Sequence, residues 1–162
     1  MRRLLVLLFA AAAALAGCAG GLPGDVMVSP AETPVEVSPS AAARMVTAIR
    51  AENGFGPVTA DPGLNAIAED YANALAAAGV VNHTVGGSFP ERIRGRGYTD
   101  AAENLGGGYR SLDEAMAFWV ASPGHFANLL TPGATRIGIA TAFDGASPYR
   151  NFWVLILAAP AD

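Results

Sequence analysis

Phe152 to Ala158 reads Phe-Trp-Val-Leu-Ile-Leu-Ala, without one polar side chain, and this run constrains the fold more than any other stretch of the chain. Successive side chains of a strand point to opposite faces, so a strand that is apolar on both faces needs apolar cover on both. Just upstream, Ile137, Ile139, Thr141 and Phe143 alternate with Arg136, Gly138, Ala140 and Ala142 in a second strand, and Asp144-Gly145 turns the chain between the two. Helices on each side supply the cover. The fold class is therefore α/β: a three-layer α/β/α sandwich with a small, largely antiparallel sheet.

The helices are marked by their start and stop signals. Ser38-Pro39 opens a helix whose apolar face carries Ala42, Met45, Val46 and Ile49 until Asn53-Gly54 stops it. Asp61-Pro62 opens a second, with Leu64, Ile67, Ala68, Tyr71, Leu75 and Ala78 at helical spacing up to Gly79. Ser88 and Glu91 are spaced as a capping box for a short helix to Arg94, and Ser111 and Glu114 repeat that box ahead of Leu112, Ala115, Met116, Phe118 and Trp119. Ser122 is placed to cap a last short helix through His125, Leu129 and Leu130, closed by Pro132-Gly133. Trp119 and Trp153 read as core residues.

Residues 1–17 read as a signal peptide, with Arg2 and Arg3 ahead of an apolar stretch from Leu4 to Leu15. That stretch is shorter than the roughly 20 residues a membrane-spanning helix needs. Leu15-Ala16-Gly17-Cys18 resembles a bacterial lipoprotein lipobox, which implies a lipid-modified Cys18 and attachment to a membrane. Ala19 follows where an Asp would signal inner-membrane retention, which points to the outer membrane in a cell that has one. Residues 18–38, with Gly20, Gly21, Pro23, Gly24, Pro30 and Pro34 and no period, read as a flexible linker, leaving 39–162 as one domain. Cys18 is the lone cysteine, so no intramolecular disulfide forms. Once the signal is removed, eight Arg stand against 14 Asp plus Glu, a net charge of −6, which argues against a nucleic-acid partner.

Two histidines occur in the whole chain, His83 in Val-Val-Asn-His-Thr and His125 in Ser-Pro-Gly-His, with Glu103 of Ala-Glu-Asn-Leu between them. Imidazole is both a proton carrier near neutral pH and a common metal ligand; it is also an ordinary hydrogen-bonded structural residue. In the first turn of its helix His125 faces outward-pointing N–H groups, which disfavour imidazolium and keep it neutral. Two neutral imidazoles can coordinate Zn2+ or another divalent cation, with Glu103 orienting one of them or ligating directly. Glu103 is also the candidate general base, or a carboxylate paired locally; Ser122 is a nucleophile candidate whose simpler duty is capping. No His-Glu-x-x-His helix signature of a metalloprotease is present, and no organic cofactor is indicated. Gly106-Gly107-Gly108 lacks the lysine of a phosphate loop and is read as allowing close approach at a cleft edge. Arg92, Arg94 and Arg96 read as solvated surface.

The order of these motifs resembles the CAP superfamily, the cysteine-rich secretory protein, antigen 5 and pathogenesis-related 1 group, in its compact bacterial form. The resemblance runs from Arg50 to Ala159. It rests on Arg50 with Gly54-Phe55-Gly56-Pro57-Val58, on Leu64, Ala68 and Ala72, on Asn82-His83, on Glu91-Arg92-Ile93 with Gly97-Tyr98, and on Ala102-Glu103-Asn104-Leu105. Trp119, Ser122-Pro123-Gly124-His125, Asn128-Leu129-Leu130 and Ile137-Gly138-Ile139-Ala140 complete it. The resemblance implies a cleft bearing His83, Glu103 and His125, with Ser122 where many relatives carry a second acid. Phe126 replaces an arginine, Ala102 a glycine, and the disulfides of eukaryotic members are absent.

Together these features predict an extracytoplasmic, lipid-anchored binding module, periplasmic in a Gram-negative cell. Its cleft of His83, Glu103, His125 and Ser122 is expected to take a divalent cation on His83 and His125 together with a cell-envelope or lipid-like ligand. The competing readings are a metal-assisted hydrolase, peptidase-like or acting on the cell wall, with Glu103 as base, and a structural envelope protein with a vestigial cleft.

Overall fold

The computed structural model describes residues 32–161, so the expected signal peptide, the lipobox at Cys18 and most of the linker lie outside the described residues. The elements are α1 (Pro39–Glu52), β1 (Thr59–Ala60), α2 (Pro62–Ala78), α3 (Phe89–Ile93), β2 (Tyr98–Gly107), α4 (Leu112–Ala121), α5 (Pro123–Leu129), β3 (Arg136–Phe143) and β4 (Asn151–Pro160). Their starts follow the caps. Ser38 Oγ accepts from the Ala41 N–H at 3.3 Å, the Asp61 carboxylate from Leu64 N–H at 2.9 Å, and Ser111 Oγ from Glu114 N–H at 3.2 Å. At α3 the Glu91 carboxylate takes both the N–H and the hydroxyl of Ser88. Ser122 departs from expectation: it caps α5 through its carbonyl, which accepts from Phe126 N–H at 2.8 Å, while its hydroxyl makes no capping bond.

The four strands lie in the order β1-β3-β4-β2, with β3-β4 and β4-β2 antiparallel. β1, a two-residue parallel pairing with β3 at Thr59↔Arg136, is too short to leave a periodic signal in the sequence. β4 sits inside the sheet with both faces buried. Trp153, Leu155 and Leu157 pack with α1, α4 and α5, and Phe152, Val154, Ile156 and Ala158 pack with α2 and Ile93 of α3. This is the three-layer arrangement the apolar run demands, and each fully buried large apolar side chain contributes about 1.5–3 kcal/mol through removal from water. Gly138 permits a close helix–sheet contact: a Cβ there would lie 2.3 Å from the carbonyl carbon of Leu64 at the start of α2.

Two long-range ties complete the domain. Arg50, 2% exposed, has no acidic partner among the described residues; its guanidinium donates to the carbonyls of Gly56, Leu129, Thr131 and Ala134 at 2.8–3.1 Å. It joins the end of α1 to the turn between α5 and β3, and burial lowers its pKa from the ordinary value. At the other end, Asn151 holds the chain before α1, accepting from Val35 N–H at 2.9 Å and donating to Thr33 C=O at 3.1 Å. Val35 and Val37 pack on the core, so ordered packing begins several residues before the Ser38 cap. Among the described residues no helix is long and apolar enough to cross a membrane.

Candidate functional site

β2 carries Glu103 and Asn104 next to each other, so their side chains leave the strand on opposite faces. On the α2–α3 face Glu103 is buried, its side chain 1% exposed, and both carboxylate oxygens are occupied. Arg92 Nη2 donates to Oε1 at 2.8 Å and Oε2 at 2.7 Å, and His83 Nδ1 meets Oε1 at 2.8 Å. Arg92 is itself held by the carbonyls of Gly87 at 2.6 Å and His83 at 3.2 Å, and lies 3.3 Å over the ring of Tyr71. Desolvation raises the Tyr71 pKa; its hydroxyl, kept protonated, donates to Asn82 C=O and so pins the residue before His83. Asn82 Oδ1 in turn accepts from the N–H and hydroxyl of Thr84 at 2.9 and 2.8 Å, which shapes the loop.

A carboxylate already paired with a guanidinium can only accept from His83 Nδ1, so the imidazole carries its proton there. In the neutral ring the lone pair then belongs to the second nitrogen, Nε2, and the side chain is 55% exposed. This is the orientation a carboxylate imposes on a metal-binding or proton-accepting histidine.

On the opposite face Asn104, fully buried, donates to the carbonyl of His125 at 3.0 Å and accepts from Asn128 at 2.9 Å. Asn128 also donates to the carbonyl of Glu103 at 3.0 Å, so α5 is sewn to β2 beside the histidine it carries. His125 has its Nδ1 buried without a hydrogen-bond partner among the described residues. Burial first, and the neighbouring His83 second, push its pKa below the ordinary histidine value, which keeps the ring neutral.

His83 and His125 meet in one cleft of about 270 Å3. Its floor is Leu105, Gly106 and Gly107 of β2; Val81 joins His83 along it, Tyr109 and Phe118 join His125, and Tyr149 completes the rim. The Phe118 ring stands 5.6 Å from His125 and 5.3 Å from Tyr109. The glycines admit these rings: a Cβ on Gly106 would lie 2.4 Å from Tyr109, and one on Gly107 2.6 Å from Tyr149. A larger hollow, about 430 Å3, lies between Pro34–Val37 and α2, but it holds no imidazole.

The expected residues therefore separate. His83 and His125 line the cleft; Glu103 lies beneath it and acts through His83; Ser122 is not part of the lining. Among the described residues no serine, threonine or cysteine donates to either imidazole, so a nucleophile–base pair is not assembled. Nor does any group of three or more His, Cys, Asp and Glu there converge as a metal site; a cation would have the two imidazoles, with water completing its shell. Imidazole donors suit Zn2+ and similar ions, and the two rings that line the cleft fit that chemistry.

Arg92 corrects the sequence reading. Expected on the solvated surface with Arg94 and Arg96, it is 14% exposed and forms the centre of the Glu103–His83 arrangement. The signal was indirect: a carboxylate on a strand destined for the interior requires a cation, but the sequence does not say which of eight arginines supplies it. The aromatic lining of Tyr109, Phe118 and Tyr149 also went unassigned, because aromatics at helical or strand spacing look alike whether they face a core or a cleft.

The family model described as "Cysteine-rich secretory protein family", CAP, matches residues 43–157. Similar solved structures include an outer surface protein of Borrelia burgdorferi, at TM-score 0.64 and 18% identity, covering 79% of this chain and 99% of that one. An extracellular protein containing an SCP domain from Bacillus anthracis gives TM-score 0.63 at 19% identity, covering 74% of this chain and 39% of that one. Venom allergen-like protein 4 of Schistosoma mansoni gives 0.54 at 14% identity, covering 75% and 87%. At these identities the likeness is one of fold. No curated protein matches the chain.

Proposed function

The chain belongs to the CAP family, and from that premise we propose that it is a binding module, lipid-anchored outside the cytoplasm, whose cleft receives a divalent cation together with a cell-envelope or lipid-like ligand. One observation carries the reading: His83, whose Nδ1 is bonded to the buried Glu103, and His125, kept neutral chiefly by burial, line one cleft, which leaves Nε2 of His83 as the nitrogen for a cation. The aromatic rim gives an organic ligand apolar surface beside the imidazoles. The anchor rests on the Leu-Ala-Gly-Cys ending at Cys18.

The same geometry speaks against a hydrolase using Glu103 as base. A carboxylate whose oxygens are both held by Arg92 and His83, below the cleft floor, is poorly placed to take a proton from water. The test of the binding reading is calorimetric titration of the protein with Zn2+ beside a His83→Ala, His125→Ala double variant of unchanged circular dichroism. Binding lost in the double variant is the expected result; equal affinity in both overturns the cation site. Incubation with peptidoglycan or unfolded protein tests the hydrolase alternative, which requires new fragments that disappear in Glu103→Gln.

A further inference from the structure

We propose that the organic ligand of this cleft is an extended peptide, which adds as a short strand to the free edge of β2 at Leu105–Gly107. The inference rests on reading the cleft as a ligand site and names the ligand class; it does not require the cation.

Among the described residues β2 is the outermost strand on its side and pairs with β4 alone. In an antiparallel ladder backbone groups alternate between partner and edge. Gly108 N–H donates to Asn151 C=O at 2.9 Å, which sets the phase: Asn104 and Gly106 direct their groups to β4, and Glu103, Leu105 and Gly107 direct theirs outward. Two outward carbonyls are satisfied within the domain, that of Glu103 by Asn128 and that of Leu105 by Trp119 Nε1 at 2.9 Å. Leu105 N–H and both backbone groups of Gly107 have no partner outside the strand ladder among the described residues. These unpaired groups occur where β2 forms the cleft floor. Backbone donors and acceptors left open at a sheet edge are the recognition elements of strand addition.

The flanks suit the same ligand. An added strand sends alternate side chains to the two faces of the sheet. On one side they meet Val81 and Tyr149, on the other Tyr109 and Phe118, and the Phe118 and Tyr149 residues retain 47% and 40% exposure. The recess decides between a peptide and a second copy of this chain. Leu105 is 3% exposed, and Trp119 and Asn128 close the edge on its N-terminal side, so a whole sheet edge flanked by its own α4 and α5 cannot lie along the stretch, and a single slender chain entering at the half-buried Gly107 is the occupant that fits.

The test uses the full chain, isotope-labelled, with acetyl-Thr-Val-Thr-Val-Thr-amide as probe and two analogues N-methylated at the valine or at the threonine nitrogens. Backbone pairing slows amide exchange at Gly107 and Leu105 by at least about ten-fold with the parent peptide, and one of the analogues abolishes that protection. Tyr149→Ala, which removes an exposed ring, weakens the parent peptide several-fold. Absence of protection at Gly107 at millimolar peptide, or equal binding of the parent and both analogues, overturns the proposal. A Zn2+ titration of the same samples keeps the two readings apart. Zn2+ binding without peptide protection overturns this inference alone, whereas peptide protection in a chain that binds no Zn2+ supports it and overturns the cation reading.

Discussion

Glu103 and Asn104, consecutive on β2, hold the two histidines of the cleft from opposite faces of the sheet: the first fixes the ring of His83, the second the backbone of His125. A dipeptide thus sets the geometry of two residues that are otherwise 42 positions apart. Because the two bonds use different atoms, they can be removed separately. Asn104→Ala is expected to disturb α5 and stability, while Glu103→Gln is expected to disturb chiefly the His83 ring.

Arg92→Ala leaves a buried carboxylate without its cation. The expected cost is about 3 kcal/mol or more, because the desolvation of Glu103 is no longer offset. Urea midpoints measure it. The double variant Arg92→Met, Glu103→Leu removes both charges and should lose less than Arg92→Ala alone; an equal or larger loss would assign the effect to packing on Tyr71 instead.

Cation affinity should respond to Glu103 without any loss of a ligand. Under the proposed function Glu103→Gln weakens Zn2+ binding about ten-fold, since the amide no longer enforces the Nδ1–H tautomer of His83. Calorimetry at fixed pH reads this. Acidification should release the ion as protons compete for both rings.

His125 contributes a pH dependence of known sign. Its folded pKa is lowered, mainly by burial, so the unfolded chain binds more protons than the native one between that lowered value and the ordinary histidine value near 6.5. Stability is therefore full above about pH 6.5 and declines as pH falls through the window below it. Denaturant midpoints collected from about pH 7 to about pH 5 should show a steeper fall for the native sequence than for His125→Asn.

Gly138→Ala probes the seam between α2 and β3. Its Cβ would meet the Leu64 backbone at 2.3 Å, and backbone cannot rotate aside, so a loss of about 1–3 kcal/mol is expected. The measured quantity is the shift in thermal or urea midpoint. A neutral result would show that α2 can ride outward on the sheet at little cost.

The anchor is tested by Cys18→Ser, which should move the protein from the membrane to the soluble fraction. Persistence in the membrane would overturn lipid attachment. Cys18 lies outside the described residues, so fractionation is the direct measurement.

Much of the architecture was readable because it is written in local or periodic signals. The caps at Ser38, Asp61, Ser88 and Ser111 give helix starts within the sequence itself, and the apolar run of β4 dictates cover on both faces. A common cleft for His83 and His125 was implied by the resemblance to the CAP superfamily, not by any local signal. What stayed hidden depends on tertiary pairing: which arginine neutralises Glu103, that Ser122 uses its carbonyl and not its hydroxyl, and that Thr33 and Val35 are clamped by Asn151. β1 was missed because two residues carry no period. Gly106 and Gly107 were read as places of close approach; the partners proved to be the rings of Tyr109 and Tyr149.

Arg50 gives this chain a brace made of charge instead of sulfur. One guanidinium spans from Gly56 to Leu129, Thr131 and Ala134, positions some 80 residues along the chain, in a molecule whose lone cysteine leaves no covalent cross-link to do so. Such a brace is indifferent to the redox state of its surroundings. It also concentrates risk: one side chain serves four carbonyls, so its loss would leave all four without that donor at once.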